Sequence, residues 1–264
     1  MKILGKFLVL AVGIAVCYLL LLQVNWTSVF EVQQNQDRLE SKLGKLVLEQ
    51  VRDLYDVIED EQIDSTLDSL FITLLKENYI PTKNYDLLLV ESEDVNAFAL
   101  PDDKIIVTTA LINFLDSADY MSAILAHEIA HCEKNHVMRS LITNFGLDLL
   151  LSGSGTGEVT NFLTGQAFSR KLEKEADEIA VEYLEEAHID PRNLMKVMEL
   201  FDVYLSSDGD VSWISSHPVP ADRKKYLEQK INRIKTDPKT YKSPVSSKTW
   251  TDLQGLISEY ANQD

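Results

Sequence analysis

Between residues 32 and 78 apolar side chains recur at helical spacing, with Leu39, Leu43, Leu46, Val47, Leu54, Val57 and Ile58 on one face. Asp64-Ser65 is placed to cap a second helix within that stretch, carrying Leu67, Leu70, Leu74 and Leu75, and Pro81 ends it. The period then changes. Short β-type runs follow at residues 86–90, 96–100 and 104–108, and Pro101-Asp102-Asp103 joins the last two as a hairpin-like connection. A long helix is expected from about Ser117 to about Leu141, capped by Asp116 or Ser117, with Asp119 in its first turn. Residues 141–166 are irregular, and the Gly/Ser run at 152–157 reads as a flexible loop, either an inert linker or a lid. Helices are expected again at 167–187, 192–205 and 221–234; a Pro/Ser/Lys-rich connection at 236–249 leads to a last one at 250–260. The pattern describes an α+β protein, mostly helical, with a small β-sheet beside its long central helix.

Residues 7–24 stand apart as eighteen uncharged positions behind Lys2 and Lys6. At 1.5 Å per residue such a helix spans roughly 27 Å, the thickness of a bilayer's hydrocarbon. No small-residue cleavage site follows, so an uncleaved signal anchor is expected, a single N-terminal transmembrane helix with the remainder of the chain on the far side; secretion after cleavage is the alternative. The expected organisation is an anchor at 1–27, a main domain at 28–235, and a connection with a short helix at 236–264.

A net charge of −17 with no basic patch argues against nucleic acid as a partner and against adhesion to anionic lipid. Cys17 and Cys132 cannot make a disulfide framework, and Cys132 reads as a small core residue.

The chemistry lies in His127-Glu128-Ile129-Ala130-His131. Histidines at i and i+4 share one helix face, so both imidazoles can reach a single zinc ion, one Zn2+ per chain. Glu128, beside the first ligand, is placed to take a proton from the attacking water and return it to the leaving amine. A third ligand is needed, and Glu173 on a later helix can complete a His-His-Glu site, with Asp177 one turn on accepting the free ring N–H of a ligand histidine. Taken without the histidines, these carboxylates read as a solvated acidic face. His136 lies five residues past His131, about 140° round a continuous helix, and is a poor ligand candidate. His188 reads as a helix-end residue.

Four motifs in order now carry a resemblance: Asn96-Ala97-Phe98-Ala99-Leu100-Pro101, the helix at 121–136, Ser169-Arg170 through Asp177, and Ser216-His217-Pro218 with Arg223. Over residues 40–232 the chain resembles the gluzincin family that holds the CAAX prenyl proteases, the HtpX-type heat-shock proteases and the mitochondrial Oma proteases. The resemblance implies a metallopeptidase core, and Glu173 rather than Glu175 as ligand. It places His217 at the active site, either to stabilise the oxyanion or to occupy the metal's open position at rest. Arg223 is expected to close an ion pair. Asn96, Ala97, Phe98 and Ala99 would line the cleft, with a free strand edge for an extended peptide, although an internal strand fits the same residues. Pro101-Asp102-Asp103 departs from the glycines usual in relatives. The function implied is a zinc metalloendopeptidase acting on unfolded or damaged envelope proteins. Its expected place is the bacterial inner membrane, held there by the anchor, with the catalytic domain outside the cytoplasm. A chaperone-like zinc protein with a self-inhibited site is the alternative.

Overall fold

The computed structural model describes residues 26–146, 158–159, 162, 168–206, 212–218 and 221–260, and these fall into two compact units divided between Glu40 and Ser41. Helix α1 (Trp26–Leu54) begins in the first unit and ends in the second, where Leu43, Val47 and Val51 recur every fourth residue and are buried. The helical reading of residues 32–78 needs correction. Val57 and Ile58 form a short strand, β1 (Val57–Ile58), and helix α2 (Glu61–Glu77) starts one turn before the expected cap. Asp60 caps it, its carboxylate accepting from the amides of Gln62 and Ile63. Two residues are too few to show a strand period, so Val57 and Ile58 passed for helix positions.

Strands β2 (Asp86–Val90), β3 (Ala97–Leu100) and β4 (Lys104–Thr108) complete a sheet of order β1-β2-β4-β3. β2 runs parallel to β4, with Leu88 opposite Ile106, while β3 returns antiparallel, with Ala99 opposite Ile105. The central β4 is buried throughout, which explains its unbroken apolar run Ile105-Ile106-Val107. The β3–β4 turn puts Asp102 and Asp103 at φ 66° and 54°, in the left-handed region that aspartate tolerates better than most residues. Gly44 of α1 crosses this turn so closely that a Cβ there would lie 2.4 Å from Asp102 Cβ and 2.7 Å from Pro101 O.

A short helix absent from the sequence reading, α3 (Thr109–Phe114), is capped by the Thr108 hydroxyl. Helix α4 (Ala118–Glu133) follows, and every side chain from residue 121 to residue 132 is buried. A helix enclosed all round must run through the core. Helices α2, α6 (Arg170–Glu186) and α7 (Arg192–Ser206) and strands β3 and β4 pack about it. The helix expected to continue to Leu141 stops instead at Lys134: Asn135 takes φ 53°, and α5 (His136–Phe145) leaves in a new direction. Helix α8 (Ser212–Ser216), also unanticipated, precedes His217. After α9 (Ala221–Ile231), α10 (Ser247–Tyr260) docks by Trp250 Nε1 and Gln254 Nε2, both donating to Leu115 O.

The fold is α+β and mostly helical. Among the described residues no helix is long and apolar enough to cross a membrane. The apolar run at 7–24 and the Gly/Ser loop at 152–157 lie outside the described residues.

The turn supplies a stability test. Burial, helped by Glu133 and Asp102 and opposed by Lys104, pushes the Asp103 carboxyl from its ordinary 3.8 up to about 6. The fold therefore holds this proton more tightly than the unfolded chain does, and stability falls as pH rises between those two values. Asp103→Asn keeps a side chain suited to the left-handed region and removes the charge. In urea unfolding it should gain about 1–2 kcal/mol at pH 7, a figure reduced for the group's part exposure. Below about pH 4 the gain should vanish. An equal gain at both pH values would attribute the effect to the turn and exclude the charge.

Candidate active site

His127 and His131 leave α4 one turn apart, on the side against which α6 packs. Opposite them, Glu173 and Asp177 leave α6 one turn apart, and both are buried. His217, on the turn after α8, closes the group from a third direction. The Nε2 atoms of His127 and His131 are 3.0 Å apart, and His217 Nδ1 lies 3.2 Å from His127 Nε2. Glu173 Oε1 is 3.0 Å from His217 Nδ1 and 3.3 Å from His131 Nε2. One ligand atom from each of these four residues lies within 4.8 Å of the other three.

Such a cluster fits a metal better than it fits hydrogen bonding. Four ligands about 2.0–2.1 Å from a tetrahedral zinc are separated from one another by roughly 3.3–3.4 Å, close to the spacings seen here. Charge agrees as well. Three carboxylates, Glu128, Glu173 and Asp177, are buried beside a single buried guanidinium, Arg223, so two further positive charges make the site neutral.

Each group is held from behind. His127 Nδ1 faces Asp177 Oδ1 at 3.1 Å. Arg223, on α9, donates from Nε and Nη2 to the two Asp177 oxygens at 2.6 and 2.8 Å, and Tyr226 donates its hydroxyl to the same carboxylate. Arg223 Nη1 also meets Glu173 Oε2 at 2.8 Å and donates to His217 O at 2.9 Å. The expected ion pair is thus a guanidinium that binds both α6 carboxylates and the His217 turn at once. Phe168 stacks on the His131 ring at 4.2 Å.

Glu128 is held between the sheet and α8, beside the cluster. Its Oε2 accepts from the Ala99 amide and its Oε1 from Trp213 Nε1, each at 3.1 Å, while His217 Nε2 stands 3.4 Å off. Trp213, on α8, stacks on His217 at 4.8 Å and donates its own amide to Val95 O at 3.1 Å. β3 is an edge strand of the sheet, yet Asn96, Ala97, Phe98 and Ala99 are all buried: α4 packs against the strand, with Glu128 at the Ala99 amide, and Trp213 of α8 holds Val95 just before it.

The electrostatics follow from burial among these charges. Burial works to lower the His127 pKa, but Asp177 and Glu173 outweigh it and push the group up to about 9. His131 falls well below 6.5, because burial and the neighbouring His127 and His217 prevail over Glu173. For Glu173, burial is overcome by His217 and Arg223, and its carboxyl is held well below the usual carboxylate range. Asp177 is lowered in the same way, chiefly by Arg223 against burial.

The structure thus gathers His127, His131, Glu173 and His217 at one point, with Glu128 and Asp177 beside them. Sequence reasoning missed Trp213, Tyr226 and Phe168, none of which carries a motif of its own. It also missed the surroundings of His136, whose Nδ1 lies 3.1 Å from His131 Nδ1 because the helix breaks at Asn135.

Residues 59–231 match peptidase family M48. The beta-barrel assembly-enhancing protease of Escherichia coli (strain K12) is 23% identical over 216 residues, which cover 74% of this chain and 44% of that protein. A mitochondrial metalloendopeptidase, OMA1, of Arabidopsis thaliana is 33% identical over 153 residues, covering 55% of this chain and 31% of its own length. The OMA1 metalloendopeptidase of Bos taurus is 29% identical over 170 residues, 56% and 32% respectively. The chain spans less than half the length of each of these relatives.

Removing Arg223 should reveal the cost of the buried carboxylates. Arg223→Met leaves Glu173 and Asp177 without their counter-charge, and should cost about 3–5 kcal/mol in urea unfolding of chelator-treated protein. The loss should shrink in zinc-saturated protein, where the metal replaces part of that charge. A Met variant as stable as the parent without metal would show that the guanidinium is dispensable.

Proposed function

This chain belongs to peptidase family M48 and is a zinc metallopeptidase; on that premise we propose an endopeptidase in which His127, His131 and Glu173 hold the zinc and Glu128 is the general base. The observation that carries this reading is the convergence of three imidazoles and a carboxylate within 4.8 Å, with Glu128 next in sequence to the first imidazole. Zinc held there supplies Lewis acidity and makes water a nucleophile near neutral pH. Glu128 takes the proton of the attacking water and delivers it to the leaving amine. Asp177 holds the His127 ring in the orientation that presents Nε2, and Arg223 keeps Asp177 and Glu173 ionised in a dry environment.

The arrangement is a resting one. Both Glu128 oxygens already accept hydrogen bonds, and His217 Nδ1 fills the fourth corner of the cluster. Of the two roles expected for His217, the metal's fourth ligand at rest is the one its position supports. Ala99 N–H and Val95 O, main-chain groups on and just before β3, are engaged by Glu128 and by Trp213. An extended peptide pairing with this edge uses the same kind of group, so α8 occupies the substrate's place and must withdraw for cleavage. The proposed substrate then lies along Asn96, Ala97, Phe98 and Ala99 and pairs with outward main-chain groups such as the Ala99 amide, since both main-chain groups of Asn96 are held by Thr108.

Unfolded or damaged envelope polypeptides are the proposed substrates. The name of the bacterial relative, a beta-barrel assembly-enhancing protease, supports this choice, and the uncharged run at 7–24 supports anchorage in a bacterial inner membrane with the site on the far side. The chaperone-like alternative draws on the same closed site, and Glu128 separates the two readings.

Casein digestion by the purified chain should stop with chelator and return with zinc. Glu128→Gln should keep its zinc and fold and lose at least about 100-fold in turnover, whereas Glu173→Ala should lose the metal. Parent protein with full zinc that cuts no unfolded substrate, yet suppresses aggregation as well as Glu128→Gln, would replace the peptidase with a binder. His217→Ala should raise basal turnover, because it removes the resting ligand. A fall in turnover at unchanged KM would return His217 to the oxyanion role.

A further inference from the structure

His131 has two ring nitrogens with different neighbours. Its Nε2 faces the cluster, 3.0 Å from His127 Nε2 and 3.3 Å from Glu173 Oε1. Its Nδ1 faces the other way, 3.1 Å from Nδ1 of His136, a histidine that is wholly buried and takes no part in the cluster. His136 Nε2 in turn lies 3.4 Å from Glu175 Oε2, and among the described residues it has no aligned hydrogen-bond acceptor. Glu175 is part-exposed, with Arg139 Nη1 3.9 Å from it.

We propose that His136 and Glu175 are positioning residues for His131: together they fix the tautomer that leaves Nε2 free for the metal. The inference rests on His131 being a ligand, as read above. Proton placement follows from one end of the chain to the other. Two ring nitrogens 3.1 Å apart share a single proton. A neutral His131 whose Nε2 binds a cation carries its proton on Nδ1, so His136 Nδ1 must accept it. Neutral His136 then carries its proton on Nε2, the atom that faces the Glu175 carboxylate. Glu175 selects the His136 tautomer and His136 selects that of His131.

The two α4 ligands are therefore supported differently. His127 has a carboxylate directly behind it, Asp177, at 3.1 Å. His131 has a neutral imidazole behind it, and a carboxylate one residue further out. Local backbone geometry makes this possible. On an unbroken helix His136 would point about 140° away from His131; the left-handed Asn135, at φ 53°, ends α4 and swings the next helix so that its first residue returns to the His131 ring. Glu175, two residues past Glu173, reaches His136 from the neighbouring helix α6.

The test measures the zinc dissociation constant of the full chain by competition with a chelator. His136→Leu removes the acceptor and should weaken zinc binding about 10–100-fold, the range usual for such orienting partners. His136→Asn places an amide oxygen where Nδ1 stood and should stay within about 3-fold of the parent. Glu175→Ala, on the part-exposed side, should weaken binding by about 3–10-fold in the parent and have no effect in the His136→Asn background, where nothing links Glu175 to His131. Long-range proton–nitrogen spectra of the zinc-loaded parent should show His131 protonated on Nδ1 and His136 on Nε2. Equal losses for His136→Leu and His136→Asn would reduce His136 to packing and overturn the proposal. So would a Glu175→Ala loss of the same size in both backgrounds, since the carboxylate would then act only through space. Because Glu175→Ala and His136→Asn are both mild, the cycle stays decisive if His136→Leu fails to fold. A parent that binds no zinc would overturn the ligand assignment itself, whereas a parent that binds zinc with unchanged Glu175→Ala affinity would overturn the orienting chain alone.

Discussion

Placing charge on the most enclosed helix of the fold is the constraint around which the other elements are arranged. His127, Glu128 and His131 show no exposure, and the rest of α4's buried length is apolar except Ser122, which donates to Ala118 O. Burying an unpaired ionised group costs several kcal/mol, so the elements around these three residues have to bring partners. Helix α6 brings Glu173 and Asp177, α9 brings Arg223 and Tyr226, α8 brings Trp213, and β3 brings the Ala99 amide. Summed over the buried Glu128, Glu173 and Asp177 carboxylates and the Arg223 guanidinium, two negative charges remain, which one divalent cation would balance. Without a metal that demand falls on protons, and it appears as the raised pKa of His127. Metal binding and stability of this core are two views of one free energy.

The same constraint explains why the sheet is small and the helices many. β4 lies at the sheet's centre with an unbroken apolar run, and β3 sits beside α4, its outer backbone groups turned towards Glu128 and α8. An edge strand left bare invites association with other chains. Here the Glu128 carboxylate covers it at Ala99, and the Trp213 amide holds Val95 O just before the strand.

What the sequence revealed, and what it hid, divides by the distance over which a pattern acts. The His127–His131 pair and the Glu173–Asp177 pair were legible because a helix repeats every 3.6 residues and each pair spans one turn. The hairpin at 101–103 was legible from Pro and Asp, although its two left-handed aspartates appear only in the backbone. His136 stays outside the cluster as expected, but its ring does not point away from His131, because one Asn in the left-handed region cancels a wheel argument that assumes regular geometry. Trp213 had no local sign at all. Its value comes from stacking on His217 and reaching Glu128 across 85 positions of sequence. The strand at Val57–Ile58 was too short to carry a period. The apolar run at 7–24 lies outside the described residues and stands on its composition alone.

Closure of the site also bears on the kind of substrate it suits. In the proposed mechanism, opening requires α8 to give up two hydrogen bonds of Trp213, to Glu128 and to Val95, and to expose a fully buried indole. An aromatic side chain of that size contributes about 3 kcal/mol by burial, and each hydrogen bond roughly 1 kcal/mol more. A substrate must offset this with contacts of the kind α8 surrenders: main-chain pairing along β3 and apolar side chains in the vacated space. A folded protein has its backbone groups already paired and its apolar side chains buried, so it offers neither. An unfolded segment offers both along several consecutive residues. On this reading selectivity for unfolded chains needs no sequence-reading pocket, because it follows from what must be displaced before Glu128 becomes free to act as a base.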